Sequence, residues 1–246
     1  MIAMAGLAVA EPMGNGSSFV EDFSQLSKQR WYISDGWSNG NHQNCTWSAD
    51  QVKIVHGALH LSFVKKPSGD RQYACAEIQT KQRFGYGVYE ARMKTARGSG
   101  FNTAFFTYIG PADKQPWHEI DFEVLGKNTA QVQLNQYIDG KGGNEELVAV
   151  PGDADSDFHD YAFVWEKGRL RYYVDNELVQ TVTDPEKLPT QAMKVFFSLW
   201  ASDNMPSWLG AFRDPDGNVD AFIDRASYTA PGDSCQYPDS LVCKLK

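Results

Sequence analysis

The 246-residue chain has no stretch approaching the roughly 18 apolar residues of a membrane-spanning helix, so a membrane is not an expected partner. It has no basic excess either. Its 23 Lys and Arg stand against 31 Asp and Glu, giving a net charge of -8. The cations are scattered, so no stripe exists to hold phosphates, and nucleic acid is not an expected partner. Internal repeats, low-complexity tracts and interdomain linkers are absent, and runs that favour helix are few. Cysteine is scarce. Cys45, Cys75, Cys235 and Cys243 show neither the CxxC spacing of a zinc site nor a redox pair. Read as disulfides, they pair by proximity as Cys45–Cys75 and Cys235–Cys243, which favours an oxidising compartment. The alternative is four buried thiols in a cytosolic protein.

Aromatic residues are abundant at 13% of the chain, and Gly, Pro and Asn recur between short segments rich in Val, Tyr, Phe and Trp. This punctuation predicts one large all-β domain. The expected strands are Leu59–Val64, Ala76–Thr80, Gly87–Lys94, Thr103–Tyr108, Glu119–Leu125, Ala130–Ile138, Tyr161–Glu166, Leu170–Val174, Glu177–Thr183, Lys194–Ala201 and Ala221–Tyr228, with Asp175-Asn176 as a hairpin turn. Met1–Ala10 is apolar, ends in Ala8-Val9-Ala10 and precedes Glu11-Pro12, like the cleavage end of a secretory leader, although no basic residue precedes it.

The segment Trp117-His118-Glu119-Ile120-Asp121-Phe122-Glu123-Val124-Leu125 places acids at every second position. In a strand, Glu119, Asp121 and Glu123 share one face and Ile120, Phe122 and Val124 the other. Neighbouring like charges repel and are costly to desolvate, so the row asks for a chemical reason. Retaining hydrolysis of a glycosidic bond uses one carboxylate as nucleophile and one as acid, about 5 to 5.5 Å apart. The Cα atoms of two glutamates four residues apart lie roughly 13 Å apart in a strand, so only a concave sheet brings their tips together. Asp121 between them would orient a glutamate, and its charge favours a protonated neighbour. A polar and aromatic face continues through Gln131, Gln133, Asn135 and Tyr137, with Phe106 and Tyr108 on another strand and Trp117, Trp200 and Trp208 near strand ends. Rings beside amides and carboxylates suit sugars, although any single ring serves equally as core packing.

Other readings compete. Calcium takes carboxylates but also draws on loop carbonyls, which a regular strand lacks. His118-Glu119 opens like a zinc HExxH motif, but no second His follows at the required position. Asp153, Asp155 and Asp157 open like an EF-hand, but Phe158 and Val164 occupy its glycine and glutamate positions.

Glu119-Ile120-Asp121-Phe122-Glu123 resembles the active-site signature of glycoside hydrolase family 16. The likeness extends over most of Phe19 to Tyr228, through Ser38-Asn39-Gly40, Asn44-Cys45-Thr46-Trp47, Cys75-Ala76-Glu77, Tyr86-Gly87-Val88-Tyr89-Glu90, Phe105-Phe106-Thr107-Tyr108, Phe122–Lys127 and Trp208-Leu209-Gly210. It is strongest to bacterial lichenases, which are endo-1,3-1,4-β-glucanases, and to ExoK-type glycanases. The resemblance implies a concanavalin-like jelly-roll sandwich of two curved antiparallel sheets. It also implies Glu119 as nucleophile, Asp121 as its assistant and Glu123 as acid/base. The sugar would be bound by Asn39, Glu77, Phe106, Tyr108, Trp117, Asn135, Tyr137, Trp200 and Trp208. No cofactor is implied for catalysis, but a structural calcium is, at Asp224 with main-chain oxygens of Gly57 and Asp22. Cys45 and Cys75 match the lichenase disulfide, whereas the Cys235/Cys243 tail resembles the cysteine-bearing extension of plant xyloglucan endotransglycosylases.

Three positions depart from the lichenase pattern: Gln79 replaces an arginine, Ser198 an asparagine and His118 an aspartate. The expected organisation is a leader remnant or disordered start over residues 1–17, a catalytic sandwich over 18–230 and a tail over 231–246. The protein is expected to be secreted and monomeric and to act on a polysaccharide. The substrate expected from the resemblance is mixed-linkage β-1,3-1,4-glucan. Xyloglucan or succinoglycan are alternatives, and a glucan-binding jelly-roll lectin is the reading without an enzyme.

Overall fold

The computed structural model describes residues 14–245. Its strands are β1 (Phe19–Glu21), β2 (Trp31–Ile33), β3 (Cys45–Trp47), β4 (Val52–Val55), β5 (Ala58–Phe63), β6 (Tyr73–Thr80), β7 (Gly87–Lys94), β8 (Phe101–Ile109), β9 (His118–Leu125), β10 (Gln131–Ile138), β11 (Glu146–Ala149), β12 (His159–Glu166), β13 (Arg169–Val174), β14 (Glu177–Val182), β15 (Lys194–Ala201) and β16 (Val219–Thr229). A short helix, α1 (Pro206–Leu209), follows β15. Among the described residues no helix is long and apolar enough to cross a membrane.

The strands form two eight-stranded sheets. A supporting sheet runs β14-β13-β12-β7-β16-β5-β4, with β1 on β16; a site sheet runs β11-β10-β9-β8-β15-β6-β2, with β3 on β6. All pairings named are antiparallel except β3 with β6, which is parallel. The architecture is the expected all-β jelly-roll sandwich.

Aromatic residues fill the space between the sheets. Phe105 lies 5.2 Å from Phe197 and 5.8 Å from Phe163 of the facing sheet, and Phe122 lies 5.4 Å from Tyr172. Each such pair contributes about 0.5–1.5 kcal/mol beyond area burial. Ile120, Phe122 and Val124 are fully buried in this layer. A one-residue slip of β9 would exchange them for three carboxyls, so the core itself fixes the register that turns the acids outward.

Every expected strand is present, and Asp175 and Asn176 make the turn between β13 and β14 with φ of 49° and 67°. β1, β2, β3, β4 and β11 were not expected. At three or four residues, they are too short for periodicity to stand out. β4 had a usable signal, since Val52 and Ile54 alternate ahead of a His56-Gly57 turn with φ of 51° and 78°.

The leader-like segment through Ala10 lies outside the described residues. Residues just before the expected boundary at 18 are tied to the body: Gly16 N donates to Arg83 O at 2.9 Å, and Arg83 N to Asn15 Oδ1 at 2.9 Å. The tail packs Leu241 on Val88, Ala162, Val164 and Tyr173 of the supporting sheet. The buried Glu90 carboxylate fastens it, accepting from Ser240 Oγ at 2.8 Å and Leu241 N at 2.7 Å.

Both disulfides exist as paired by proximity, spanning 30 and 8 residues. In the chain-entropy model, removing Cys45–Cys75 by double alanine substitution lowers the unfolding free energy by about 3–4 kcal/mol. Removing Cys235–Cys243 costs about 2–3 kcal/mol by the same model. Urea unfolding of the two variants is expected to place the first below the second, with the tail variant keeping its activity.

Candidate active site

The site lies on the open face of the site sheet, opposite the aromatic core. Strand register sets its rows. Glu119 on β9 stands between Tyr108 of β8 and Tyr137 of β10; Asp121 between Phe106 and Asn135; Glu123 between Ala104 and Gln133. The rows continue across β15, where Lys194, Phe196, Ser198 and Trp200 face Tyr108, Phe106, Ala104 and Asn102. On β6, Gln79 and Glu77 face Phe196 and Ser198.

Glu119 and Glu123 are half-buried and open to this face, whereas Asp121 is only 3% exposed. The two glutamates thus present their carboxyls to this face, with Asp121 set more deeply between them. Trp117 Nε1 donates to Glu119 Oε2 at 2.7 Å. Asn102 Nδ2 donates to Glu123 Oε1 at 2.8 Å, and Gln133 Nε2 to Glu123 Oε2 at 3.4 Å.

All three acids are pushed upward. Burial raises Glu119 to about 8, against the lowering effect of the Trp117 hydrogen bond, and the charge of Glu123 adds to the rise. Burial likewise lifts Glu123 to about 7, opposed by the Asn102 hydrogen bond. Asp121 rises well above the ordinary carboxyl range through burial, then through the charges of both glutamates, and it donates a hydrogen bond to Glu119. The hydrogen bonds of Trp117 and Asp121 oppose the rise at Glu119 without cancelling it, so the row as a whole retains protons near neutrality. That is the proton inventory of an acid paired with a nucleophile.

Aromatic rings frame the acids. Trp117 stacks on Tyr137 at 5.1 Å and 13°, and Phe106 on Phe196 at 4.8 Å. Trp200 lies 6.0 Å from Trp208, whose Nε1 donates to Gln133 Oε1 at 3.0 Å. Glu77 is buried, raised to about 7 by burial, and accepts from Ser34 Oγ at 2.6 Å. Asn135 is buried beside Asp121, with its Oδ1 accepting from Gln136 N at 2.9 Å and Asn144 N at 3.3 Å. Asn39 lies on the β2–β3 loop, and its Oδ1 accepts from Trp47 Nε1 at 3.4 Å. The same loop brings His42 to 5.6 Å from Trp200.

The expected sugar-binding residues on β6, β8, β10 and β15 therefore share one face with the acids. Asn102 and Ser34 were missed. Asn102 falls just before the expected start of its strand, and Ser34 carries no periodic signal. Gln133 belongs to the polar face read from the sequence, but not as a partner of Glu123; its place ten residues after that acid becomes meaningful only through the β9–β10 pairing.

The three departures behave differently. Gln79 accepts from Lys194 Nζ at 3.4 Å, so a cation stands close by, itself bound to Asp113 at 2.8 Å. Ser198 is buried facing Glu77. His118 points away from the acids: it is 2% exposed, its Nδ1 accepts from Thr190 N at 3.3 Å, and burial lowers its pKa.

The calcium residues are separate from this face. Register pairs Glu21 with Ala226 and Leu59 with Ile223, which puts Asp22, Gly57 and Asp224 beside the irregularity of β16 between Ile223 and Arg225. The Asp224 carboxylate lies 3.3 Å from Arg92 Nε, and Asp22 Oδ1 accepts from Ser24 N at 3.0 Å. Among the described residues no group of three His, Cys, Asp or Glu side chains is arranged to hold a metal. One carboxylate with main-chain oxygens is a donor set that suits a hard cation. Arg92 would have to give way to it.

Comparison with known proteins identifies the family. Residues 39–216 match the family model for glycosyl hydrolases family 16. The chain is 58% identical over 231 residues to an endo-1,3-1,4-beta-glycanase, ExoK, of Rhizobium meliloti, covering 93% of this chain and 85% of that protein. It is 40% identical over 198 residues to a beta-glucanase of Bacillus subtilis, covering 80% of each. The solved beta-glucanase of Bacillus licheniformis superposes with a TM-score of 0.83 at 38% identity, over 88% of this chain and 99% of that one. The chain belongs to glycosyl hydrolases family 16.

Proposed function

We propose that this protein is a retaining endo-β-glucanase that hydrolyses mixed-linkage β-1,3-1,4-glucan by double displacement, secreted and acting as a monomer. One observation carries the reading. Two half-buried glutamates open to a face lined with aromatic rings, with a buried aspartate between them on the same strand. A lectin has no need for such a set, because binding alone does not require an acid and a nucleophile on the same face.

In the first step Glu119 attacks the anomeric carbon while Glu123 gives its proton to the leaving oxygen, forming a glycosyl ester on Glu119. Glu123, now a carboxylate, takes a proton from water, which attacks the ester and frees Glu119. The hydrogen bonds of Trp117 and Asp121 orient Glu119 and favour its ionised form against the effect of burial. Trp117, Tyr137, Phe106, Tyr108, Trp200 and Trp208 offer ring faces to the sugars, and Glu77, Asn135 and Asn39 supply polar contacts. The two disulfides support secretion into an oxidising compartment.

A second substrate has a specific observation behind it: the 58% identical relative is named a glycanase, whereas the Bacillus relatives are named beta-glucanases. Incubation with barley glucan, xyloglucan and succinoglycan, followed by product sizing, separates these readings. Rapid shortening of barley glucan supports the proposal, and exclusive cleavage of another polymer replaces its substrate.

Glu119→Gln and Glu123→Gln are each expected to lower kcat by about 100-fold to 10,000-fold, with the far-ultraviolet circular dichroism unchanged. A folded variant retaining most of its turnover would show that the roles are misassigned.

Calcium belongs to the same proposal, held by Asp224 and the carbonyls of Gly57 and Asp22 in competition with Arg92. Added calcium is expected to raise Tm and chelator to reverse the rise, through preferential binding to the folded state. Equal Tm under both conditions removes calcium from the account.

A further inference from the structure

Asn102 is fully buried in β8, next to Trp200 of β15 and Leu125 of β9. Its Nδ2 donates to Glu123 Oε1 at 2.8 Å, while its Oδ1 is buried with no hydrogen-bond partner. A buried orphan carbonyl costs about 1–3 kcal/mol, and asparagine is a poor strand residue, so stability alone would select an apolar or β-branched side chain here. The orientation of the amide is determined by its neighbour, since turning it over would set its oxygen against the carboxylate.

We propose that Asn102 is the positioning residue of Glu123, clamping Oε1 so that the acid is presented to the leaving oxygen. The inference rests on the acid/base role given to Glu123 above. An amide suits both halves of that role. Nδ2 holds the carboxylate, and after half a turn the unpartnered Oδ1 can accept from the carboxylic acid.

No cation pairs with Glu123 among the described residues. The titrating groups that bear on it are Glu119 and Asp121 along β9, Tyr137 of β10 and Glu145 of the β10–β11 connection. The charge of Glu145 raises Glu123, and the charge of Glu123 in turn raises Glu119, Asp121 and Tyr137. The donors facing Glu123 are Asn102 and Gln133, and Asn102 makes the shorter bond. A hydrogen bond to the ionised form lowers a carboxyl pKa, so losing it raises that of Glu123. The first step needs Glu123 protonated, and the alkaline limb of kcat must then move to higher pH.

The test is kcat and KM against pH for the full chain carrying Asn102→Leu or Asn102→Val, with Glu123→Gln as the control. The expected result is kcat lowered by about tenfold or more, KM within about twofold, and the alkaline limb raised by about half to one pH unit. The leucine variant is expected to melt no lower than the parent, because the orphan oxygen is gone. If leucine does not fold, valine decides, since its smaller β-branched side chain suits a strand and cannot donate. An unmoved limb in a folded variant, or a change confined to KM, overturns the proposal. An active Glu123→Gln variant overturns it through the role it rests on, whereas an inactive one beside wild-type-like Asn102 variants removes the clamp alone.

Discussion

The site depends on burying one face of β9. Ile120, Phe122 and Val124 contribute about 1.5–3 kcal/mol each by leaving water, and Phe122 adds its contacts across the sandwich to Tyr161 and Tyr172. That gain holds the strand in the only register that also sets three acids side by side on the opposite face. The row is unfavourable in itself, and the core on the reverse side of the same strand offsets it. Fold and chemistry are coupled through the pleat.

Electrostatic cost on the open face is limited by protons and donors rather than by cations. No lysine or arginine pairs with Glu119, Asp121 or Glu123 among the described residues. Trp117 serves the first, Asn102 and Gln133 the third, and Asp121 keeps a proton with which it serves Glu119. A guanidinium beside the row would hold all three ionised and leave no acid to protonate a leaving group. Neutral donors lower each charge's cost only partly, which keeps a proton available near pH 7.

Legibility from sequence followed the length of the alternating runs. β9 and β10 were readable because strict alternation over a long run fits a half-buried strand and little else, and their polar faces exposed Glu119, Asp121, Glu123, Asn135 and Tyr137 together. β1, β2 and β3 were not, because three residues carry no period and their place is set by pairing with β16 and β6. Asn102 escaped for a related reason. Its meaning lies in β8 lying beside β9, a contact that spacing along the chain does not encode. The residues expected to hold calcium illustrate the converse: a positional resemblance located Asp224 at an irregular stretch of β16 but carried no information about Arg92 beside it.

Glu90 sharpens what makes a buried acid functional. It sits in the supporting sheet, buried like Asp121, and its two oxygens accept from Ser240 Oγ, Leu241 N and, at 3.3 Å, Ser227 Oγ. Those donors come from the tail and from β16, so the carboxylate is spent on fastening the chain end over Val88, Ala162 and Tyr173. Glu119 and Glu123 differ in that each turns toward open space with its charge only partly compensated. Burial alone therefore does not mark an active acid. The mark is burial combined with a deficit of donors on a face that a substrate can reach, and in this sandwich the site sheet combines them around paired glutamates.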